Sequence, residues 1–296
     1  MALTTKLSAG TPGQSFGLFI EGSDGNDTLY GTANADEIHG GGGADIVYGG
    51  GGDDLIFGET GNDSLSGGLG NDLLDGGIGN DVLAGGAGAD RLIGGEGFDT
   101  ATYSSSSTAV YVNLATNMGV FGDAEGDAFS SINKVVGSRF DDGLIADDSG
   151  VVLDGGTGHD LLVGGAGLDV LIGGDGDDTL QGRRGLDVLT GGAGADRFVL
   201  DYGDGPDLIT DFQTGVDKIV LGDEFGWRPL GQNGELATGT ELPSSARFDH
   251  DLLFYDTDDH QLYQLSVLFN RQQEIHATLL ATFGNGVVLH TSDFAF

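Results

Sequence analysis

From Gly22 onward, the chain alternates a polar segment rich in glycine and aspartate with a three-residue segment whose middle residue is apolar. This pattern returns every nine residues through nine uninterrupted units that end at Thr102, and it resumes from Gly137 to Val199. Each unit offers one apolar residue for burial, at its eighth position, so a single unit cannot bury itself. The pattern therefore predicts short strands that stack in parallel on the strands of neighbouring units. The apolar column is Leu29, Ile38, Val47, Ile56, Leu65, Leu74, Leu83, Leu92 and Ala101, then Leu144, Leu153, Leu162, Leu171, Leu180, Leu189 and Phe198.

The first six residues of each unit have the composition of a tight turn. The fourth position is glycine in eight of the first nine units and Asn34 in the other, and these two residue types accept positive φ most readily. We therefore expect a six-residue turn followed by a three-residue strand in each unit, with successive coils about 4.8 Å apart. The sequence predicts an all-β, parallel fold in two arrays.

The charge of the chain is strongly negative, which favours a cationic partner. Asp and Glu total 47 against 11 Lys and Arg, and the formal net charge is −36 over 296 residues. Such a chain repels nucleic acid and anionic membrane surfaces. The sequence has no cysteine, which excludes disulfide frameworks, thiol catalysis and zinc ribbons. It also has no apolar stretch of 18 residues, so we expect no stable membrane insertion.

Aspartate occupies the sixth position in all nine units of the first array. If each unit makes half a circuit of a flattened coil, the aspartate at residue n lies beside the one at n+18, about 4.8 Å away. Two charges at that distance repel by roughly 1 kcal/mol in water and by about 3 to 4 kcal/mol at an effective dielectric constant of 20. One buried apolar residue per unit, worth about 1.5 to 3 kcal/mol, cannot offset this repulsion together with the backbone entropy. A cation must therefore lie between the turns.

Carboxylates and the carbonyl groups of glycine-rich turns form a flexible, all-oxygen set of ligands. This set suits Ca²⁺, and it suits Mg²⁺ less well because Mg²⁺ requires strict octahedral geometry. One ion for each pair of units n and n+2 gives about seven sites in the first array and about three in the second. The sequence thus predicts about ten calcium ions.

The motif GGxGxD followed by x, a large apolar residue and x resembles the repeat-in-toxin (RTX), or hemolysin-type, calcium-binding repeat family. The resemblance implies a right-handed parallel β-roll in which turn carbonyls and the sixth-position aspartate bind calcium between successive turns on each edge. The metal ligands that it implies are Asp27, Asp36, Asp45, Asp54, Asp63, Asp72, Asp81, Asp90, Asp99, Asp142, Asp160, Asp169, Asp178, Asp187 and Asp196, with Gly41, Gly43, Gly50, Gly52, Gly68, Gly70, Gly77, Gly79, Gly86, Gly88, Gly156, Gly158, Gly165, Gly167, Gly174, Gly176, Gly192 and Gly194.

Four turns depart from the family pattern. The departures are Thr32 with Asn34, Glu59, Arg183 with Arg184, and Val151 at the place of an aspartate. At the third of these, an arginine could replace an ion with a fixed cation.

The repeats divide the chain into five segments. We expect an N-terminal leader or cap at 1–21, a first β-roll at 22–102, a structural spacer at 103–136, a second β-roll at 137–199, and a C-terminal antiparallel β cap with an export region at 200–296. In the last segment, two strands joined at 256–260 and a closing strand pair near the end are predicted.

Two features of the last segment resemble secreted relatives. Asp211, Gly215 and Asp217 lie in a stretch similar to the end of the repeat region in serralysin-type metalloproteases. The tail SDFAF, with Asp293 before two phenylalanines, is similar to the uncleaved signal for ATP-driven type I export. Residues 1–10 do not form a Sec signal peptide, which agrees with that route. The resemblance thus implies an extracellular protein that meets the type I (ABC) export machinery.

Catalytic and other binding motifs are weak in this sequence. HExxH and GxSxG are absent, and no glycine motif matches a nucleotide fingerprint. A turn beginning at Asp256 lacks the ligands of an EF-hand and is interpreted as a hairpin turn. Trp227, and Tyr30, Tyr48 and Phe57 on the outer face, could bind an extracellular glycan or the surface of a host cell, or simply pack.

These observations favour a secreted, non-enzymatic calcium-binding protein that folds when it meets extracellular Ca²⁺. Two alternatives remain at this point. The chain could be the export and folding module of a secreted protease, lipase or alginate-modifying enzyme, or it could resemble the nodulation-type calcium-binding proteins that act at host membranes.

Overall fold

The computed structural model describes residues 4–7, 17–200, 205–221, 237–239, 252–256, 261–267, 275–284, 287, 289 and 293–295. In these residues the regular structure is β-strand, apart from a 3-10 turn at Gly122–Ala124 and the 3-10 conformation of Asp293. None of the described segments forms a helix with the length and apolar character that crossing a membrane would need. The chain divides into two compact units, Met1–Ile145 with Val151–Thr157, and Ala146–Gly150 with Gly158–Phe296. The all-β prediction is confirmed.

The first unit is built from strands that follow one another along the repeats. Its strands are β1 (Thr4–Leu7), β2 (Leu18–Glu21), β3 (Thr28–Tyr30), β4 (Glu37–Gly42), β5 (Ile46–Gly51), β6 (Leu55–Thr60), β7 (Ser64–Leu69), β8 (Leu73–Ile78), β9 (Val82–Ala87), β10 (Arg91–Glu96), β11 (Thr100–Thr102), β12 (Tyr111–Asn113), β13 (Met118–Val120), β14 (Ala128–Ser130), β15 (Lys134–Val136), β16 (Gly143–Ile145) and β17 (Val152–Thr157).

Successive strands of the repeat alternate between two parallel sheets. One sheet has the order β1-β2-β4-β6-β8-β10-β14, in which only β1 is antiparallel to its neighbour, and in the other β3, β5, β7, β9, β11, β15 and β17 lie side by side. Paired residues within the repeat are 18 positions apart, as in Ile38↔Ile56 and Ile56↔Leu74. Each nonapeptide therefore makes half a circuit, as predicted.

The interior of the coil is the column of eighth-position residues. In every repeat strand the side chain at this position is fully buried; Leu29, Leu74 and Leu162 each expose 0% of their surface. Because paired residues are in register, each of these side chains lies over the equivalent residue of a coil on the same sheet. The predicted apolar column is confirmed in both arrays.

The strands are longer than the sequence suggested. Most repeat strands have six residues rather than three, because the strand continues through the first three positions of the next unit, as in β7 and β8. Glycine at the second position, such as Gly68 with φ 111°, lets the backbone remain in the ladder after the last side chain has left the core. Only a few strands, including β3, have the predicted three residues.

The spacer continues both ladders of the first unit. Strand β14 pairs with β10 and β15 pairs with β11, with Leu92↔Phe129 and Ala101↔Val135 in register. Strands β12 and β13 form an antiparallel pair, and β12 also lies parallel to β16. The side chain of Val112, in the middle of β12, is fully buried.

The second unit repeats the two-sheet arrangement and adds antiparallel strands. Its strands are β18 (Leu161–Val163), β19 (Val170–Asp175), β20 (Thr179–Gln181), β21 (Val188–Ala193), β22 (Arg197–Leu200), β23 (Asp207–Ile209), β24 (Lys218–Leu221), β25 (Ala237–Gly239), β26 (Leu252–Asp256), β27 (Gln261–Val267), β28 (Ile275–Phe283) and β29 (Phe294–Ala295).

The last strands of this unit cover the ends of its parallel sheets. The hairpin of β26 and β27 is confirmed, with Asp256 paired to Gln261. Most of the residues between β28 and β29, where the second closing strand is predicted, lie outside the described residues. Strand β28 lies antiparallel to β27 and parallel to β23, and β29 lies parallel to β24. Each thereby occupies the edge that a parallel sheet leaves open. Trp227 lies outside the described residues.

Candidate metal sites

The sixth-position aspartates are buried although they carry charge. From Asp36 to Asp99, each exposes at most 3% of its surface, whereas Asp27 is half-buried. The corresponding residues of the second array, from Asp142 to Asp196, are buried to the same degree. Removing a carboxylate from water is costly unless hydrogen bonds or a cation replace the solvent.

One oxygen of each carboxylate is satisfied by the backbone of an earlier turn. In the first array, Oδ1 accepts a hydrogen bond of 2.7 to 2.9 Å from the amide of the aspartate 18 residues before it. The same bond joins Asp160 to Asp178 and Asp169 to Asp187 in the second unit. The aspartates therefore form columns on the turns at the sheet edges, as the half-circuit geometry predicts.

The second oxygen of most of these carboxylates has no donor. In the described part of the chain, buried Oδ2 atoms without a hydrogen-bond partner belong to Asp45, Asp54, Asp63, Asp72, Asp81, Asp90, Asp99 and Asp196. Leaving a charged, buried acceptor unsatisfied costs more than the 1 to 3 kcal/mol of a neutral group, on the order of several kcal/mol. The repeated lack of a hydrogen-bond donor to these oxygens indicates that each is placed to bind a cation.

Several of these oxygens lie beside main-chain carbonyl oxygens in a narrow space. A Cβ built on Gly67 would come within 3.0 Å of both Asp72 Oδ2 and the carbonyl oxygen of Gly85, and Gly49, Gly58 and Gly76 show the same arrangement. Second- and fourth-position carbonyls also point to the next turn of the column, since a Cβ on Gly68 would meet the oxygen of Gly50. Only glycine leaves this space free.

The donor set matches the preference of calcium. No three His, Cys, Asp or Glu side chains of the described residues gather around one point, so each site combines carboxylate with main-chain carbonyl oxygen. Ca²⁺ binds six to eight oxygen ligands of this mixed kind in flexible geometry. The aspartates with an unpartnered Oδ2 and the carbonyl oxygens beside them fit this ion.

The second position of the turn takes one of two conformations. We define an open turn as one whose second residue has positive φ, and a closed turn as one whose second-position amide donates to Oδ2 of the sixth-position aspartate. All eight aspartates with an unpartnered Oδ2 lie in open turns. Closed turns occur at Ser23, Thr32, Ser138 and Gly165, whose amides donate to Asp27, Asp36, Asp142 and Asp169.

The predicted ligand glycines differ in backbone conformation between open and closed turns. All have φ between 96° and 147° except Gly165 and Gly167. Their turn matches the family pattern in sequence, yet it is closed. The glycines are otherwise placed as the sequence pattern requires.

The turns with irregular sequences are divided as well. Glu59 has φ 73° and Arg183 has φ 64°, so both occupy the left-handed region and their turns are open. The guanidinium of Arg183 donates to the carbonyl oxygen of Gly164 at 3.4 Å. The turn of Thr32 is closed, and its hydroxyl adds a hydrogen bond of 3.0 Å to Asp36.

Burial changes the acidity of the column. Desolvation raises the pKa of Asp54 and of Asp90 to about 7, and neighbouring carboxylates of the column add to the effect. The same causes raise the pKa of Asp63 and of Asp196 to about 6. In the closed turn of Asp27, by contrast, hydrogen bonds from the hydroxyl and amide of Ser23 lower the pKa. The open turns thus hold carboxylates that attract either a proton or a metal ion.

Four residues continue the columns where the nine-residue period stops. Asp127 Oδ1 accepts from the amide of Asp90, Asn133 from Asp99, Asp207 from Asp187, and Asp217 from Asp196. The repeat count misses these residues because their spacing is irregular. They share a short local feature: each is an Asp or Asn followed two positions later by a buried apolar residue, as in Asp127 and Phe129.

Comparison with protein families gives repeated matches in both arrays. The RTX calcium-binding nonapeptide repeat (4 copies) matches residues 21–56, 48–83, 66–101, 136–171, 154–185 and 172–209, which together cover more than half of the chain. Comparison with curated proteins gave no match. Among solved structures, the extracellular lipase LipA from Serratia marcescens is 17% identical with a TM-score of 0.25. The match covers 86% of this chain and 40% of the lipase chain.

Proposed function

Because the chain belongs to the family of RTX calcium-binding nonapeptide repeat proteins, we propose that it is an extracellular protein that folds when it binds calcium. The observation that carries this proposal is a set of eight buried carboxylate oxygens among the described residues that have no hydrogen-bond donor, one in each of eight turns. A fold that buries so many unsatisfied anionic atoms needs cations to be stable. The binding energy of the ions is then folding energy.

The number of ions in the proposal is about ten. Seven turns of the first array and three turns within the second unit are open; their second residues are Gly41, Gly50, Glu59, Gly68, Gly77, Gly86, Gly95, Gly174, Arg183 and Gly192. About ten divalent ions would reduce the formal net charge from −36 to about −16.

The same electrostatics supports secretion in an unfolded form. While calcium is scarce inside the cell, repulsion along the aspartate columns opposes folding, and an extended chain suits an ATP-driven type I exporter. Outside the cell, where calcium is near millimolar, the turns fill and the coil forms. Proteins with this repeat are typically secreted, and the acidic and apolar tail around Asp293 agrees with the type I route.

We assign the chain a structural or binding role rather than a catalytic one. The support is in the sequence, which lacks the HExxH and GxSxG motifs and devotes its acidic residues to turns. Assays of the purified chain against casein, lipid esters and alginate test this assignment, and turnover of any of them would overturn it.

The central test is a calcium titration of the full chain followed by far-UV circular dichroism. We expect an unfolded spectrum in chelator and a cooperative gain of β-structure as calcium is added. Magnesium at the same concentration is the matched control, and it should be far less effective because it prefers six-coordinate, partly hydrated sites. A chain that is equally folded in chelator and in calcium would contradict the proposal.

A further inference from the structure

The open and closed turns are not mixed at random along the columns. In the first array, the closed turns at Ser23 and Thr32 belong to the first two repeat units, one on each edge of the coil. Every later turn of this array is open, from Gly41 to Gly95. Each edge thus begins with one closed turn and continues with open turns.

The second array follows the same order. The turn of Ser138 belongs to its first unit and is closed. The turn of Gly165 is closed as well, and it follows a degraded unit in which Val151 stands at the aspartate position. The next turn on that edge, at Arg183, lies two units later and is open. Since Gly165 is closed without a hydroxyl, the place in the column decides the conformation, and serine or threonine only reinforces it.

In the closed turns, hydrogen bonds occupy the carboxylate that an ion would otherwise use. Oδ2 of Asp36 accepts from the amide of Thr32 at 2.5 Å and from its hydroxyl at 3.0 Å, and Oδ1 accepts from the amide of Leu18. Both oxygens of Asp142 are likewise engaged, by Ser138 and by the amide of Val110. These carboxylates are satisfied without a cation.

A closed turn still offers oxygen atoms to the next turn of its column. The carbonyl oxygen of Thr32 accepts from the amide of Gly51 at 2.9 Å and lies within 3.0 Å of a Cβ built on Gly50. Ser23 has the same relation to Gly41 and Gly42. A closed turn can therefore form one wall of a site whose carboxylate belongs to the open turn that follows.

The far ends of the columns are closed by other donors. Asp127, which ends one column of the first array, accepts a 2.7 Å hydrogen bond from the hydroxyl of Tyr103 on Oδ2. The other column ends at Asn133, a neutral side chain. In the second unit, Asp217 accepts from the amide of Gln213 at 2.6 Å.

We propose that the first turn of each column is an ion-independent starter, closed by its own hydrogen bonds, and that calcium binds only at the open turns that follow. This inference rests on the proposed function, because it places the ions of a calcium-binding coil. It removes Asp27, Asp36, Asp142 and Asp169 from the set of carboxylates that the repeat pattern assigns to metal. The starters supply carbonyl oxygen atoms that are already in place. The first ion of each column therefore binds between an open turn and a starter turn that is stable without an ion.

The test compares the same substitution at two places on one edge of the first array. Asp36→Asn changes a starter, and Asp72→Asn changes an open turn that lies four units later in the sequence, on the same edge. The number of calcium ions bound to the full chain is counted by native mass spectrometry at saturating calcium. We expect D36N to bind as many ions as the unsubstituted chain and D72N to bind at least one fewer.

A second variant covers the case in which D36N does not fold. Thr32→Val removes one donor to Asp36 and leaves the carboxylate in place, so it should keep the full ion number while raising the calcium concentration needed for half-folding. Loss of an ion in D36N or T32V would overturn the inference and leave the proposed function intact. An unsubstituted chain that binds no calcium would instead overturn the proposed function.

Discussion

Truncation of one core leucine tests how many ions fold together with the first array. Leu74 is fully buried in β8, where it lies between Ile56 and Leu92 in the ladder. Leu74→Ala should destabilise the fold by about 2 to 5 kcal/mol, from the lost transfer energy and the cavity left behind.

The expected shift in the calcium concentration at the midpoint of folding is nevertheless small. Above its dissociation constant, each bound ion adds about 1.4 kcal/mol of stability for every tenfold rise in calcium. If the seven open turns of the first array fill together, a tenfold rise adds about 10 kcal/mol, so calcium needs to rise only about 1.6- to 3-fold to restore folding in L74A.

Circular dichroism at a series of calcium concentrations gives the midpoint for L74A and for the unsubstituted chain. Leu69→Ala is the matched control, because Leu69 is 66% exposed in the same array and its truncation should leave the midpoint unchanged. A shift of more than about tenfold in L74A would mean that no more than about four ions are linked to folding, which contradicts joint filling of the seven open turns.

Three further predictions follow from single features. Gly68→Ala should raise the calcium concentration at the midpoint of folding, because Gly68 has φ 111° and the added Cβ would come within 3.0 Å of a carbonyl oxygen. Gly25→Ala is the control: a Cβ at this position would have no atom within 4 Å, so the midpoint should not change. The pKa of Asp54 is about 7 in the folded state against 3.8 in the unfolded state, so between these values the calcium-free fold binds more protons than the unfolded chain and loses stability as pH rises from about 4 to 7. Circular dichroism in chelator should therefore show more β-structure at pH 5 than at pH 8. More β-structure at pH 8 would contradict this prediction. Tyr103→Phe leaves Oδ2 of Asp127 without its 2.7 Å hydrogen bond and should cost about 1 to 3 kcal/mol, measured by urea unfolding in calcium; an unchanged midpoint would exclude this role.

The sequence predicted the repeat geometry well because each constraint recurs at a fixed position. One apolar residue in nine, with Leu74 as an example, cannot be buried except against its equivalents 18 residues away. One aspartate in nine, such as Asp72, must then lie in a column at the edge. Period and register follow directly from these two positions.

The conformation of the turns could not be predicted from the same pattern. Glycine at the second position permits positive φ, as at Gly68, but it does not require it, as the closed turn of Gly165 shows. We assign the choice to the place of the turn in its column, and this place depends on three-dimensional neighbours. The longer strands were missed for a related reason, because glycine is rarely taken to continue a strand.

The ends of the columns were missed because their spacing is irregular. Asp127 lies 37 residues after Asp90, and Asn133 lies 34 residues after Asp99, so neither fits a period of nine. Their local signal, an acidic or amide residue two positions before a buried apolar one, is too short to stand out without the structure.

The alternation of units between two sheets sets the step by which this coil can change length. Duplication or loss of a single nonapeptide would move every later unit to the opposite sheet and exchange the outward faces. One face carries the stacked rings of Tyr30 and Tyr48, and the other carries Phe19, His39 and Phe57. Only a gain or loss of units in pairs, that is, in multiples of 18 residues, keeps each row of side chains on its own side. The array can therefore lengthen or shorten only by even numbers of nonapeptides if each outward face is to keep its side chains.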